Sequence, residues 1–353
     1  MGKGLPNIII EFTQKASTAI KRGERGVVAV MVIEEVDVTT VTKIDDVLQI
    51  PESLTDENKA YVERVFLGGK NPVKYVHLIQ TDSVANGLPK LDTIRFDYLA
   101  APHEITSEEA TEVATYVKTL RDSKGKKVKA VLPNTAADHE GIINFVTSDI
   151  VVGNQTYTAA EYCSRIAGIL AGTPLNVSST YFVLGEVDDV PKFTKSEMDA
   201  KIDAGELVLY HDGEKVKIAR EVNSLQDANN LKGDAYKSIK LVDTMDLIHN
   251  DIHTTCEDVY IGKYPNNYDN KCLLIVAIKT YLESLRDDEI LDNDITVGVD
   301  LEAQRNWLRD NGADVSEMSE QEIKEANTKS EVFITGSYHI LYAIEDIAVR
   351  FNI

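Results

Sequence analysis

The stretch Gly26-Val27-Val28-Ala29-Val30-Met31-Val32-Ile33 is a continuous apolar run near the start of the chain. A strand that is buried on both faces has this composition, because neither face needs polar side chains for contact with water. Such strands occur in parallel sheets that carry helices on both sides. The stretch therefore predicts the first strand of an α/β fold.

Helix and strand patterns alternate after this stretch. Spacing of apolar residues and turn residues predicts, in order, a helix at 55–66, strands at 73–79 and 94–100, a helix at 107–121, strands at 128–132 and 142–146, and a helix at 158–171. This alternation predicts a mostly parallel sheet covered by helices. A hairpin is then predicted from residue 207 to 219 around an Asp212-Gly213 turn. We place a domain boundary soon after it.

The last third of the chain has a different pattern. Apolar residues recur every three or four positions from 236 to 259 and predict one long amphipathic helix. A second helix is predicted at 268–285, and two shorter acidic helices at 300–309 and 319–326 precede the terminal strands. The whole chain is therefore expected to be α/β (α+β overall), with an α/β domain at 23–232 and a smaller α+β domain at 233–345.

Both ends of the chain have strand patterns with one apolar face. Alternation of period two places four apolar side chains on one face near the C-terminus, namely Ile347, Val349, Phe351 and Ile353. The same alternation near the N-terminus places Ile8, Ile10 and Phe12 on one face. An unpaired apolar strand exposes backbone donors and acceptors that invite another chain. Each end is therefore expected either to close the sheet of its own domain or to join the sheet of another subunit, which builds polymers.

Composition restricts the class of protein. A length of 353 residues with 43% hydrophobic residues predicts a globular protein of two domains or one large one. The net charge of -21 argues against nucleic acid or an anionic membrane as the main partner. Three scattered cysteines predict a reducing compartment, and the absence of a signal-peptide pattern or a long apolar run predicts a protein made in the cytoplasm, without membrane insertion.

Charge is distributed unevenly along the chain. Residues 1–25 contain five basic and two acidic side chains, whereas residues 283–331 contain fifteen acidic and five basic ones. A basic end and an acidic region attract each other between subunits, although solvated faces explain most such charges equally well.

Motifs for nucleotide or ester chemistry are missing from the sequence. It contains no GxGxxG, GxxxxGK[ST] or GxSxG pattern, so we predict neither a catalytic site nor a cofactor. His249, His253 and Cys256 share one stripe of the long predicted helix. Because Cys256 belongs to the apolar register of this helix, we interpret the stripe as the edge between its apolar and polar faces rather than as a metal site. Asp138-His139-Glu140 is interpreted as a polar loop rather than an acid/base cluster.

Several longer segments are specific enough to suggest a family. They include Phe96-Asp97-Tyr98-Leu99-Ala100-Ala101-Pro102, Asp138-His139-Glu140-Gly141-Ile142-Ile143-Asn144-Phe145, Tyr157-Thr158-Ala159-Ala160-Glu161-Tyr162-Cys163-Ser164-Arg165 and Asp212-Gly213-Glu214-Lys215-Val216-Lys217-Ile218-Ala219-Arg220. Together with residues 121–131 and 243–274, these segments closely resemble contractile phage tail sheath proteins. The resemblance covers essentially the whole chain and is greatest to sheath subunits of Gram-positive prophages and R-type bacteriocins of the diffocin kind.

The resemblance implies a structural polymer rather than an enzyme. It implies a helical stack of rings around a tail tube, with baseplate and tail terminator proteins as further partners, in a phage virion or a headless bacteriocin released by lysis. Residues 23–232 would face outward and residues 233–345 would face the tube. The arms at 1–22 and 346–353 would complete sheets of neighbouring subunits through the seven apolar residues above and Arg350.

Two further interpretations remain at this point. One acidic helix is expected to face a basic stripe on the tube, through Glu320, Glu322 and Glu325. The competing class is a soluble α/β enzyme or ligand-binding protein whose terminal strands pair within its own chain.

Overall fold

The computed structural model describes residues 19–23, 25–226 and 232–352, which form two compact units. The larger one, called here the α/β unit, contains the described residues of 23–250 and 342–352. The smaller unit contains residues 19–22 and 251–341. The chain thus returns to the α/β unit for its last described residues.

The α/β unit alternates strands and helices. Its strands are β1 (Val27–Ile33), β2 (Thr40–Ile44), β3 (Tyr75–Thr81), β4 (Tyr98–Ala100), β5 (Lys129–Pro133), β6 (Ile142–Phe145), β7 (Ile150–Val152), β8 (Gln155–Tyr157), β9 (Val183–Leu184), β10 (Glu206–Leu207), β11 (Leu209–His211) and β12 (Val216–Ile218). Its α-helices are α1 (Asp56–Phe66), α2 (Val84–Gly87), α3 (Ser107–Asp122), α4 (Ala159–Ala171) and α5 (Lys195–Asp203). Short 3-10 helices lie at Val47–Gln49, Leu88–Asp92 and Asp234–Lys237.

Helix α6 (Ile239–Thr255) begins in the α/β unit and ends in the smaller one. There it continues as a π-helical turn, Cys256–Tyr260. The smaller unit then contains α7 (Tyr268–Asp287), β13 (Thr296–Val299), α8 (Leu301–Asp310), α9 (Glu320–Glu325) and β14 (Ile334–Ser337).

Seven strands form the main sheet, in the order β10-β6-β5-β4-β1-β3-β2. Every neighbouring pair is parallel except β2 and β3, which are antiparallel. The predicted α/β class with a mostly parallel sheet is therefore confirmed.

The central strand β1 explains why the apolar run is continuous. Val28, Val30 and Val32 pack into one core with α1 and α4, whereas Val27 and Met31 pack into a second core with α3. Successive side chains of a strand point to opposite faces, so a strand between two helical layers needs apolar residues at every position.

The helix starts follow local capping chemistry. Thr55, Thr106 and Thr158 are the N-caps of α1, α3 and α4, and each side chain accepts a backbone N–H of the first turn. Gly168 lets α4 approach α1 closely, because a Cβ there would clash with the carbonyl oxygen of Val65. These contacts set the helical layer on one face of the sheet.

Three predicted boundaries were wrong. The strand at 94–100 is shortened to β4, because the Asp97 carboxylate accepts the backbone N–H groups of Gly26 and Val27, at 2.7 and 2.9 Å, just before β4 begins. The helix at 236–259 is shortened because Ser238 forms a bridge with Val222 and Cys256–Tyr260 is π-helical. The hairpin consists of β11 and β12, whereas Leu207 pairs with the main sheet in β10.

A buried cluster of charges joins α6 to the rest of the α/β unit. The Asp246 carboxylate accepts hydrogen bonds from Arg121 at 2.8 and 3.0 Å and from Lys129 at 2.6 Å. Asp243, one turn earlier, accepts from Tyr98 at 2.8 Å and pairs with Arg25, while Lys129 lies 2.9 Å from it. Three cations from three other parts of the chain therefore neutralise two carboxylates of one helix.

The cations determine the protonation state of Asp246. Burial alone would raise the pKa of this carboxyl, but Lys129 and Arg121 outweigh burial and hold the pKa well below its usual value. A lowered native pKa contributes stability above about pH 4, the unfolded value, and this contribution is lost as the pH falls through the native pKa.

Removal of the charge of Asp246 should therefore destabilise the fold strongly. We expect Asp246→Asn to lower the free energy of unfolding by about 3–5 kcal/mol, because Arg121 and Lys129 stay buried without their shared anion. Urea unfolding at pH 7 measures the effect. The matched control is Asp199→Asn, which removes an exposed pair with Lys195 and should cost less than about 1 kcal/mol. Equal losses in the two variants would contradict a structural role for the cluster.

Candidate assembly surfaces

The last described residues, 342–352, lie largely on the protein surface. Residues 342–352 form no helix and pair with none of the described strands. Ile347, Val349 and Phe351 are 76%, 66% and 85% exposed, and Arg350 is also exposed. Exposed apolar side chains at alternate positions of a segment outside the described sheets offer a surface to a partner.

Ile8, Ile10, Phe12 and Ile353 lie outside the described residues.

The smaller unit contains a sheet of only two described strands. β13 and β14 are antiparallel, from Thr296 opposite Ser337 to Val299 opposite Ile334. A hollow of about 760 Å³ lies beside this sheet. Its lining includes the apolar residues Ile252, Leu274, Ile278, Val297, Val332 and Ile334. A small sheet beside an apolar hollow can accept another strand, with its side chains in the hollow.

Strand β13 was missed by the sequence analysis. Its four residues, Thr296-Val297-Gly298-Val299, are β-branched except for one glycine, and this composition weakly indicates a strand. The run is too short to be distinguished from a loop before α8.

The three acidic residues of α9 have different environments. Glu322 caps its own helix, because its carboxylate accepts the Ser319 backbone N–H at 2.8 Å and the hydroxyl at 2.7 Å. Glu325 accepts a hydrogen bond from Gln321, and Glu320 is exposed. Glu320 and Glu325 are therefore the two carboxylates that do not support the helix start.

His139 forms a group of potential metal ligands with Asp122 and Glu140, and this is the one such group found among the described residues. His139 Nδ1 accepts the Gly141 N–H at 3.0 Å, and Nε2 lies 3.2 Å from Asp122. Burial lowers the pKa of His139, which favours the neutral ring with the proton on Nε2. Glu140 pairs with Lys232 at 2.9 Å. Both ring nitrogens and Glu140 therefore have partners within the protein, and the group is a hydrogen-bonded network that contains the Glu140–Lys232 ion pair.

The histidine stripe of α6 does not form a ligand set. His249 contacts the carbonyl oxygen of Gly125, and His253 pairs with Glu257 at 3.4 Å. Neither residue, nor Cys256, belongs to the group found among the described residues.

The family comparisons identify the class of protein. Residues 79–224 match the phage tail sheath protein central domain, and residues 232–353 match the phage tail sheath C-terminal domain. The chain belongs to the phage tail sheath family. Its role is that of a structural component of a contractile sheath and not of an enzyme, so the alternative of an α/β enzyme was wrong.

Individual relatives agree with this assignment. The chain is 40% identical to the tail sheath protein of Clostridium phage phiCD119, over 98% of this chain and 99% of the relative. The sheath tail protein of Desulfitobacterium hafniense has the same fold with a TM-score of 0.68 at 19% identity, covering 83% of this chain and 94% of that one. The contracted helical sheath of the anti-feeding prophage gives 0.73 at 15% identity, with 99% of both chains covered.

No helix among the described residues is both long and apolar enough to cross a membrane.

The exposure of the C-terminal segment predicts that it contributes little to the stability of the isolated subunit. We expect Phe351→Ser to change the free energy of unfolding by less than about 0.5 kcal/mol. The same substitution at the fully buried Phe145 should cost at least about 3 kcal/mol. Urea unfolding of the unassembled chain tests both variants. A large loss for Phe351→Ser would mean that this side chain packs within its own subunit.

Proposed function

We propose that the chain polymerises as a helical stack of rings around a tail tube and contracts to drive the tube through a target cell envelope. The observation that carries this proposal is the C-terminal segment with its exposed apolar side chains. In a sheath, this segment would find its partner in a neighbouring subunit. Tail tube, baseplate and tail terminator proteins would be the other partners. Such a particle, a virion or an R-type bacteriocin, would assemble in the cytoplasm and be released by lysis.

The arms would act by strand addition. Residues 1–22 and 346–353 would extend the β13–β14 sheet of neighbouring subunits, with Ile347, Val349 and Phe351 on the apolar side. The apolar hollow beside that sheet supports this choice of acceptor. The arm residues Ile8, Ile10, Phe12, Arg350 and Ile353 would take part in the same contacts. Each backbone hydrogen bond of such a link contributes about 1 kcal/mol net.

The two main parts of the chain would face opposite ways. Residues 23–232 would form the outer surface, and residues 233–345 would face the tube. Contraction would follow from an extended state, trapped during assembly, that passes to a packing of lower energy while the strand links persist. A sheath of this kind needs no nucleotide or cofactor.

Loss of either arm should abolish assembly and leave the subunit folded. We expect chains that lack residues 1–12 or 347–353 to keep the far-ultraviolet circular dichroism of the full chain. Neither should form sleeves in negative-stain electron micrographs, because the inter-subunit strands are gone. Double substitution of Val349 and Phe351 by Thr keeps the length and strand propensity and serves as a milder variant. Normal sleeves from the truncated chains would disprove the arm mechanism.

Helix α9 allows a separate test of binding to the tube. We propose that Glu320 and Glu325 face a basic stripe on the tube, with Glu322 kept because it caps the helix. Glu320→Lys combined with Glu325→Lys should weaken binding of the cognate tube about tenfold, because two attractive charges become repulsive. Co-sedimentation with preformed tubes measures this.

The control variant for α9 has the same change of charge on two helices of the α/β unit. Glu63→Lys combined with Glu112→Lys alters two exposed acidic residues of α1 and α3 in the α/β unit. Binding should stay at the level of the unchanged chain. If the α9 variant also binds normally, α9 does not face the tube.

A further inference from the structure

The C-terminal segment is attached to the α/β unit next to the point where its exposed part begins. Glu345 accepts hydrogen bonds from Ser178 Oγ at 2.9 Å and Thr180 Oγ1 at 2.6 Å. The residue between them, Ser179, donates instead to the buried carboxylate of Glu221, at 2.9 and 3.0 Å. The short Ser178–Thr180 loop is thereby fixed from one side and holds Glu345 on the other.

An arginine reinforces this attachment. Arg220 Nη2 donates to both carboxylate oxygens of Asp346, at 2.8 Å each, and Arg220 Nε lies 3.6 Å from Glu345. Bonding to Asp346 raises the pKa of Arg220. A guanidinium holds the direction of a carboxylate better than an ammonium does, because it is planar and presents several donors in a fixed geometry. We call Arg220, Glu345, Asp346, Ser178 and Thr180 the clasp.

Polar and charged contacts, rather than burial of apolar side chains, attach the C-terminal segment to the α/β unit. Tyr342 is 67% exposed and Ile344 is 86% exposed, although both come just before the clasp. A hollow of about 470 Å³ lies between this part of the segment and the surface formed by Arg220, Glu221 and Lys240. Apolar contact therefore contributes little here, and the polar contacts of Glu345 and Asp346 decide where the segment leaves the unit.

We propose that Arg220 is a positioning residue for assembly, which fixes the root and direction of the C-terminal arm before a second copy of the chain binds it. The inference rests on the proposed function, in which residues 347–353 join a neighbouring subunit. An arm with an ordered root loses less conformational freedom on binding than one that is free from residue 342 onwards. The clasp thus lowers the concentration at which subunits assemble and adds no contact between them.

The test compares the critical concentration for assembly of the full chain and of Arg220→Gln, measured by sedimentation of polymer at several protein concentrations. We expect a rise of roughly threefold to tenfold, in the range of a partly exposed ion pair in which one guanidinium nitrogen contacts both carboxylate oxygens. The melting temperature of the unassembled subunit should not change, because Arg220 is not in the core. Lys195→Gln removes the same charge from an exposed helical pair of the α/β unit and should leave the critical concentration unchanged.

A double-mutant cycle separates the clasp from a general effect of charge. Asp346→Asn, at a highly exposed position, should raise the critical concentration nearly as much as Arg220→Gln, and the double variant should be no worse than either. Additive effects would mean that the two residues act independently, which overturns the proposal. A critical concentration that falls in Arg220→Gln also overturns it, because the clasp would then restrain the arm from binding.

The chain without residues 347–353 distinguishes a failure of the clasp proposal from a failure of the arm mechanism. If this truncated chain does not assemble and Arg220→Gln assembles like the full chain, the clasp has no positioning role and the proposed function stands. If the truncated chain assembles normally, the arm mechanism itself fails, whatever Arg220→Gln does.

Discussion

The pairing of Asp243 and Asp246 with buried cations is the constraint on which the architecture depends. Helix α6 brings both carboxylates against a parallel sheet, where an unpaired charge is very costly. Arg25, Lys129 and Arg121 come from the chain before β1, from β5 and from α3. The observed placement of α6 satisfies all of these groups together. The cluster therefore fixes the start of the helix that leads from the α/β unit into the smaller unit.

This cluster also explains where the amphipathic pattern of α6 misleads. The sequence places Met245 on the buried stripe, yet Met245 is only half-buried whereas Asp243 and Asp246 are buried. A pattern of apolar residues shows which face is hydrophobic, but it cannot show that two carboxylates of the helix have three cations as partners. The broad buried face of α6 is therefore a consequence of partners that lie more than a hundred residues away in sequence.

Local signals predicted much of the α/β unit correctly. The run at β1, the helix starts near Thr55 and Thr158 and the Asp212-Gly213 turn depend on nearest neighbours, and the structure contains each of them. Contacts between distant residues were not predictable in this way. Arg220 and Asp346 are 126 positions apart, and nothing around either residue distinguishes it from an ordinary surface charge. The alternation at Ile347, Val349 and Phe351 lies between these cases. Its pattern is visible in the sequence, but the exposure of all three side chains among the described residues is not.

Charge and apolar surface have separate roles in this chain. A net charge of -21 makes identical subunits repel one another at long range, which keeps them apart until short-range contacts form. In the proposed assembly, the exposed side chains of the C-terminal segment would supply contacts of that kind, since apolar burial and backbone pairing act only on direct approach. Repulsion between the bodies and attraction through an arm would then favour association only where the arm reaches its acceptor. A segment with a fixed root would meet this requirement better than a free one, because its apolar residues would sample fewer directions in which they could form unproductive contacts.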